Sequence, residues 1–148
     1  LKSEGLTLAM PTYTQTMARH ILKRASTPKE YADAKAQLTQ LRDRLLRREL
    51  TFEEAARQYS EDGSATSGGV LGWANPGTYV PEFEAAMNGL KPGQLSAPVE
   101  TEFGLHLIEV LERRNVEMTA EQIKSQIEAQ LKIIFSSVSV TSNVRQRI

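Results

Sequence analysis

The chain has 148 residues, enough for one domain with a real core and too few for two comfortable ones. Its 18 basic and 18 acidic residues cancel, which removes any electrostatic reason to expect nucleic acid or an anionic membrane as partner. The absence of cysteine excludes disulfides, thiolate catalysis and cysteine zinc sites, and is compatible with an oxidising compartment.

Residues 1–15 (LKSEGLTLAMPTYTQ) have no clear period and carry Gly5 and Pro11, so they read as a linker or partner segment. No basic run followed by an apolar run opens them, so no signal peptide is expected here, and Leu1 in place of Met reads as the start of a processed or excised chain. No apolar stretch anywhere approaches the roughly 18 residues of a membrane-spanning helix. Thr16–Lys23 has strand character, with Ala18, His20 and Leu22 facing one way. Ser26-Thr27-Pro28-Lys29-Glu30 then signals a helix start, and Tyr31, Ala34, Leu38, Leu41 and Leu45 give that helix one apolar face. Arg42, Arg44, Arg47 and Arg48 crowd its C-terminal end, where cations suit the helix dipole; they read as a solvated face.

Thr51-Phe52-Glu53-Glu54 is a capping-box pattern, opening a short helix to about Tyr59 with Phe52, Ala55, Ala56 and Tyr59 on one side. Ser60–Gly72 is glycine-rich and is expected to be a loop with a tight turn, leaving as a short strand at Val70–Trp73. Pro81–Met87 reads as a third helix ended by Asn88-Gly89, followed by a turn at Lys91–Gln94 and an extended run over Leu95–Val99. Gly104–Glu112 is the strongest strand, apolar on both faces at its start and so expected to be central in a sheet. After Arg113-Arg114-Asn115 the character changes: Thr119–Gln122 is a second capping box, Ile123, Ile127, Leu131 and Ile134 mark an amphipathic helix to about Phe135, and Ser136–Thr141 alternates briefly. The order β-α-α-β-α-β-β over 16–114 is an α+β reading with an antiparallel sheet.

Several pieces of this sequence, taken in order, resemble the parvulin-type peptidyl-prolyl isomerases. Ala18-Arg19-His20-Ile21-Leu22 resembles the family's first strand, Phe52–Ala56 with Tyr59–Asp62 its second helix and the following loop, and Gly68–Trp73 its Gly-Gly-acid-Leu-Gly turn. Phe83 with Ala85-Ala86, Gly93–Val99 and Phe103–Ile108 complete the set. Each piece is unspecific alone, but their shared order and spacing is not. Leu111–Val116 together with Phe103 is closer to the branch found in bacterial periplasmic chaperones than to eukaryotic parvulins. Val70 departs from the pattern, standing where the family usually carries an acid.

The resemblance implies a parvulin (FKBP-like) fold: a four-stranded antiparallel sheet with helices packed around it, plus a C-terminal helix. It divides the chain into 1–15, an isomerase domain over 16–114, and a helix and tail over 115–148. It implies that Leu71, Tyr79 and Phe83 line a proline pocket closed by Phe103, with His20 and His106 side by side beneath it. Asp62 would join the histidines, and Thr101 would bond one of them and fix its tautomer. No cofactor or metal is implied. The implied substrates are X-Pro bonds of unfolded polypeptides, with outer-membrane protein clients and a periplasmic location.

Plainer readings stand beside these. Taken singly, His20 and His106 are structural histidines; only their placement in two strands that pair in the resembled fold makes them a site. Asp62-Gly63 is by itself a common turn pair. Two histidines and Asp62 could ligate zinc, but no metal-binding spacing accompanies them. The loop Ser64–Gly69 is no P-loop, because no Lys-Ser/Thr follows its glycines. A parvulin fold that binds extended peptides without useful catalysis is the alternative function, and self-association through the flanks is a third.

Overall fold

The computed structural model describes residues 11–132. Expectations that fall on 1–10, on Ile134 and Phe135, or on 136–148 lie outside the described residues. The elements run β1 (Thr12–Arg24), α1 (Pro28–Leu46), α2 (Phe52–Tyr59), a 3-10 turn (Gly63–Ser67), β2 (Val70–Ala74), α3 (Pro81–Asn88), β3 (Val99–Thr101) and β4 (Gly104–Glu117), with α4 over 120–132. The four strands form one antiparallel sheet in the order β2-β1-β4-β3, which puts the two long strands at its centre.

The sheet's two faces carry separate cores. Along β4 the side chains alternate, Leu105 and Leu107 to one face and His106, Ile108 and Val110 to the other, as the strand period requires. The first face, with Ile21 of β1, packs against Ala34, Leu38 and Leu41 of α1 and Phe52, Ala55 and Ala56 of α2. The second, with Ala18, packs against Phe83 and Met87 of α3. Strand β4 is apolar on both sides because helices cover it on both sides.

Local signals set the helix ends. The Thr27 side chain accepts from the Glu30 N–H and Pro28 opens α1, while Thr51 and Glu54 form a full capping box at α2. Because that box satisfies two otherwise orphaned donors, Thr51→Ala is expected to lower the unfolding free energy by about 1 kcal/mol, read as a drop in the urea midpoint. An unchanged midpoint would remove the box from the list of what holds α2.

Several expectations need correction. Strand β1 starts at Thr12 rather than at residue 16, so 12–15 are strand and not linker. Strand β4 continues through Arg113-Arg114-Asn115 to Glu117 instead of ending at Glu112. The extended run expected over Leu95–Val99 is only bridged at Leu95 to Glu109, and the strand there is Val99–Thr101. The loop after α2 contains the 3-10 turn. The four arginines are not one solvated face: Arg42 Nε donates to the Ser96 carbonyl at 2.9 Å and Arg44 Nη1 to the Tyr59 hydroxyl at 3.3 Å. Arg47 and Arg48 are exposed.

Packing groups Thr14–Asn115 into one compact unit and the described flanks, 11–13 and 116–132, into another. In the flanking unit the Met118 N–H donates to the Pro11 carbonyl at 2.8 Å, and Thr119 and Gln122 cap α4 reciprocally. Ile127 and Leu131 are exposed on α4.

Candidate active site

His20 lies in β1 and His106 near the start of β4, adjacent strands at the centre of the sheet. Both are buried. Their Nδ1 atoms are 3.0 Å apart, and the rings lie nearly parallel at 18°. Phe83 presents its ring almost perpendicular to both, with centroids 5.5 Å from His20 and 5.2 Å from His106. Tyr79 leans on Phe83 at 4.8 Å.

Backbone contacts hold His20 at its height. Its N–H donates to the Gly69 carbonyl at 3.0 Å, and a Cβ on Gly69 would meet the His20 carbonyl at 2.5 Å, so the turn approaches β1 as only glycine allows. Asp62 caps the 3-10 turn, its Oδ2 accepting from the Ser64 N–H at 3.0 Å and the Ser64 hydroxyl at 2.6 Å. The same oxygen is 3.2 Å from His20 Nε2. That pair is close enough for charge attraction but is not aligned as a hydrogen bond, and Nε2 is buried without another partner. On the far side, Thr101 Oγ1 accepts from the Phe103 N–H at 3.1 Å and lies 2.7 Å from His106 Nε2.

These contacts select one proton arrangement. With its lone pairs partly used by Phe103, the Thr101 hydroxyl donates to His106 Nε2; His106 Nδ1–H then donates to His20 Nδ1. His20 is left with its proton on Nε2, facing the Asp62 carboxylate. The reversed order would aim the Nε2 lone pair at that anion. Burial pushes both histidine pKa values down: His106 falls to about 4, helped by the adjacent His20 and opposed by Asp62, while for His20 Asp62 opposes the shift. Burial alone would raise Asp62, but the Ser64 hydroxyl and N–H, together with His20, bring it down to about 2. At neutral pH the site is two neutral imidazoles beside one carboxylate.

Above them is a cavity of about 300 Å³. Seven of the eight expected residues line it: His20, Asp62, Leu71, Tyr79, Phe83, Phe103 and His106. Thr101 stands behind His106 instead. Leu22, Arg24 and Val80 also line the cavity and were not expected there. Leu22 and Arg24 could have been found, since period two along β1 puts both on the His20 face; Val80 carries no sequence signal beyond adjacency to Tyr79. A larger polar cleft of about 640 Å³ shares Arg24 and Phe103 with this cavity. Among the described residues no group of three His, Cys, Asp or Glu side chains is placed to hold a metal ion.

A small, mostly apolar cavity over paired neutral histidines, on a β-α-α-β-α-β-β frame, suits an isomerase of peptide bonds, because twisting an amide needs a dry pocket and no bond-breaking nucleophile. Residues 20–112 match the family model described as rotamase, PPIC-type PPIase domain, and the chain belongs to that family of peptidyl-prolyl isomerases. Relatives named Chaperone SurA are 41% identical over 99% of this chain in Albidiferax ferrireducens and 53% identical over 75% of it in Thiobacillus denitrificans. The chain spans only a third and a quarter of those two relatives. Among solved structures, the peptidylprolyl isomerase PrsA of Bacillus anthracis matches with a TM-score of 0.64 and 30% identity, over 80% of this chain and 50% of that one. A chain from the SurA-like chaperones of Campylobacter jejuni matches with a TM-score of 0.52 and 29% identity, over 90% of this chain and 53% of that one.

Proposed function

We propose that this cavity accelerates cis/trans isomerisation of X-Pro bonds in unfolded or partly folded polypeptides, and that the chain serves as an isomerase domain, over 16–114, of a periplasmic chaperone for outer-membrane proteins. The observation that supports this most is the stacked, neutral His20–His106 pair roofed by Phe83 and flanked by an ionised Asp62.

The reaction asks for little covalent chemistry. The barrier of about 18–20 kcal/mol is amide resonance, and it disappears as the amide twists. A twisted amide has a less polar carbonyl and a more basic nitrogen than either planar form, so a dry apolar pocket favours it over both ground states. Leu71, Tyr79, Phe83 and Phe103 supply that environment and seat the prolyl ring. The histidine pair forms a buried polar floor that holds its protons in a fixed order, with Thr101 at one end and Asp62 at the other. Asp62, about a third exposed, is the anionic group facing the cavity, with Arg24 the cation that also lines it. A fixed negative charge there can act on the change in amide dipole as the carbonyl rotates. The adjoining polar cleft gives the chain next to the proline a place to run.

Exchange spectroscopy by NMR on a short X-Pro peptide tests this. Wild-type protein is expected to give cis/trans exchange peaks, and Asp62→Ala to slow catalysed exchange at least about tenfold, the scale of losing one positioned electrostatic group. Chemical-shift changes without faster exchange would instead assign a peptide-holding module with a parvulin fold.

A further inference from the structure

Tyr31 lies on the apolar face of α1, and its ring packs against the core on the side of the sheet away from His20 and His106. Its hydroxyl does something the packing does not require: it donates to the Thr101 carbonyl at 2.6 Å, across 70 residues of sequence. Thr101 is buried and ends β3, an edge strand paired with β4 at only three positions, Val99 with His106, Glu100 with Leu105 and Thr101 with Gly104. So short a ladder leaves the orientation of its last residue weakly determined by the sheet alone. Yet that residue carries the hydroxyl that meets His106 Nε2 at 2.7 Å and takes the Phe103 N–H at 3.1 Å.

We propose that Tyr31 is a positioning residue for the isomerase site: by fixing the Thr101 backbone it holds the hydroxyl that sets the His106 tautomer and the turn that carries Phe103 to the cavity rim. This rests on the isomerase reading above. The chain of contacts runs Tyr31 hydroxyl, Thr101 carbonyl, Thr101 hydroxyl, His106, His20, and each link is within hydrogen-bond distance. Without the first link the Thr101 hydroxyl can rotate away. His106 Nε2 then loses its donor and both tautomers become accessible, half of them presenting the wrong Nδ1 state to His20. Phe103, half-exposed at the rim, loses its fixed N–H anchor at the same time. The role is therefore orientation, with no contact between Tyr31 and substrate.

Tyr31→Phe removes the hydroxyl and keeps the ring in its packing, and Tyr59→Phe makes the same change on a half-buried tyrosine whose hydroxyl meets Arg44 instead. Tyr31→Phe is expected to lower kcat/KM on an X-Pro peptide about tenfold, roughly the value of one hydrogen bond. In ¹⁵N-detected imidazole spectra His106 is expected to move from a single tautomer toward an averaged signal, while Tyr59→Phe leaves both readouts at wild type. A Tyr31→Phe protein with an unchanged His106 signal would overturn the proposal, including one whose activity falls only in step with its unfolded fraction. If the wild type itself proves inactive, the isomerase reading fails, and the His106 signal still decides whether Tyr31 positions the pair.

Discussion

Gly104→Ala should cost this domain at least about 4 kcal/mol, enough to unfold a large share of the molecules of a marginally stable protein. A Cβ at this position would lie 2.1 Å from the Lys23 carbonyl oxygen, and 2.9 Å from both the Ala25 nitrogen and the Arg24 Cα. All three are backbone atoms, so no side chain can swing aside. The backbone there also has φ +143°, in a region that residues with a side chain avoid. Separation of the strands is resisted, because the Ala25 N–H donates to the Phe103 carbonyl at 3.3 Å across the same junction. Gly63→Ala is the control: nothing lies within 4 Å of its added carbon, and it is expected to unfold near the wild-type urea midpoint. The prediction is lost if the two variants share a midpoint. It matters for function because the end of the strand of His20 meets the start of the strand of His106 at this junction, and relieving the clash would spread the pair.

The features that were legible in the sequence are those written locally. Thr27-Pro28 and the Thr51–Glu54 box announce their helices because the capping atoms come from neighbouring residues. The apolar run of β4 announces a central strand because both its faces are covered. The site was legible only through the family resemblance. His20, Asp62, Thr101 and His106 are brought together by a strand order that does not follow the chain, and no spacing rule encodes that.

The missed pieces share a physical cause: polar residues satisfied by distant partners. Thr14 and Gln15 look like linker, yet Thr14 Oγ1 donates to Asn115 and Gln15 bonds both Asn75 and Arg114. Thr12, Thr14, Gln15 and Thr16 leave no hydrophobic alternation to mark this end of β1. Arg113 and Arg114 look like a break after β4. Arg113 in fact donates to the Leu90 and Met87 carbonyls at 2.6 Å each, closing the end of α3, and Arg114 lies over the Trp73 ring at 4.0 Å. A long cationic side chain reaching a carbonyl far away in sequence reads, in one dimension, as solvent-exposed charge.

Acidification from pH 7 to pH 4 is expected to remove on the order of 3 kcal/mol of stability through the histidine pair. The sign follows from burial. An unfolded histidine titrates near 6.5, while folded His106 titrates at about 4, and His20 is shifted in the same direction. Between those values the unfolded chain binds a proton that the folded chain refuses, so stability is full above about 6.5, falls as pH falls, and levels off below about 4. Asp62 adds a second, lower window of the same sign: its ionised form is favoured on folding, so its contribution is lost between 3.8 and about 2. The two windows separate the causes. The sequence holds only two histidines, and its carboxylates begin to titrate below about pH 5, so the decline between 6.5 and 5 belongs to the imidazoles. Urea midpoints measured across that range should fall for the wild type and stay nearly flat for His20→Leu/His106→Phe, which packs the same space without a titrating group. Isomerase activity of the folded protein should hold across this range and fall only as pH nears about 4, because protonating the pair sets two N–H groups against each other across 3.0 Å and forces the rings apart beneath the cavity. A wild-type midpoint independent of pH between 6.5 and 5 would mean that the histidines already titrate as they do in water. The floor of the cavity would then be wet, and the site could not favour a twisted amide by excluding water.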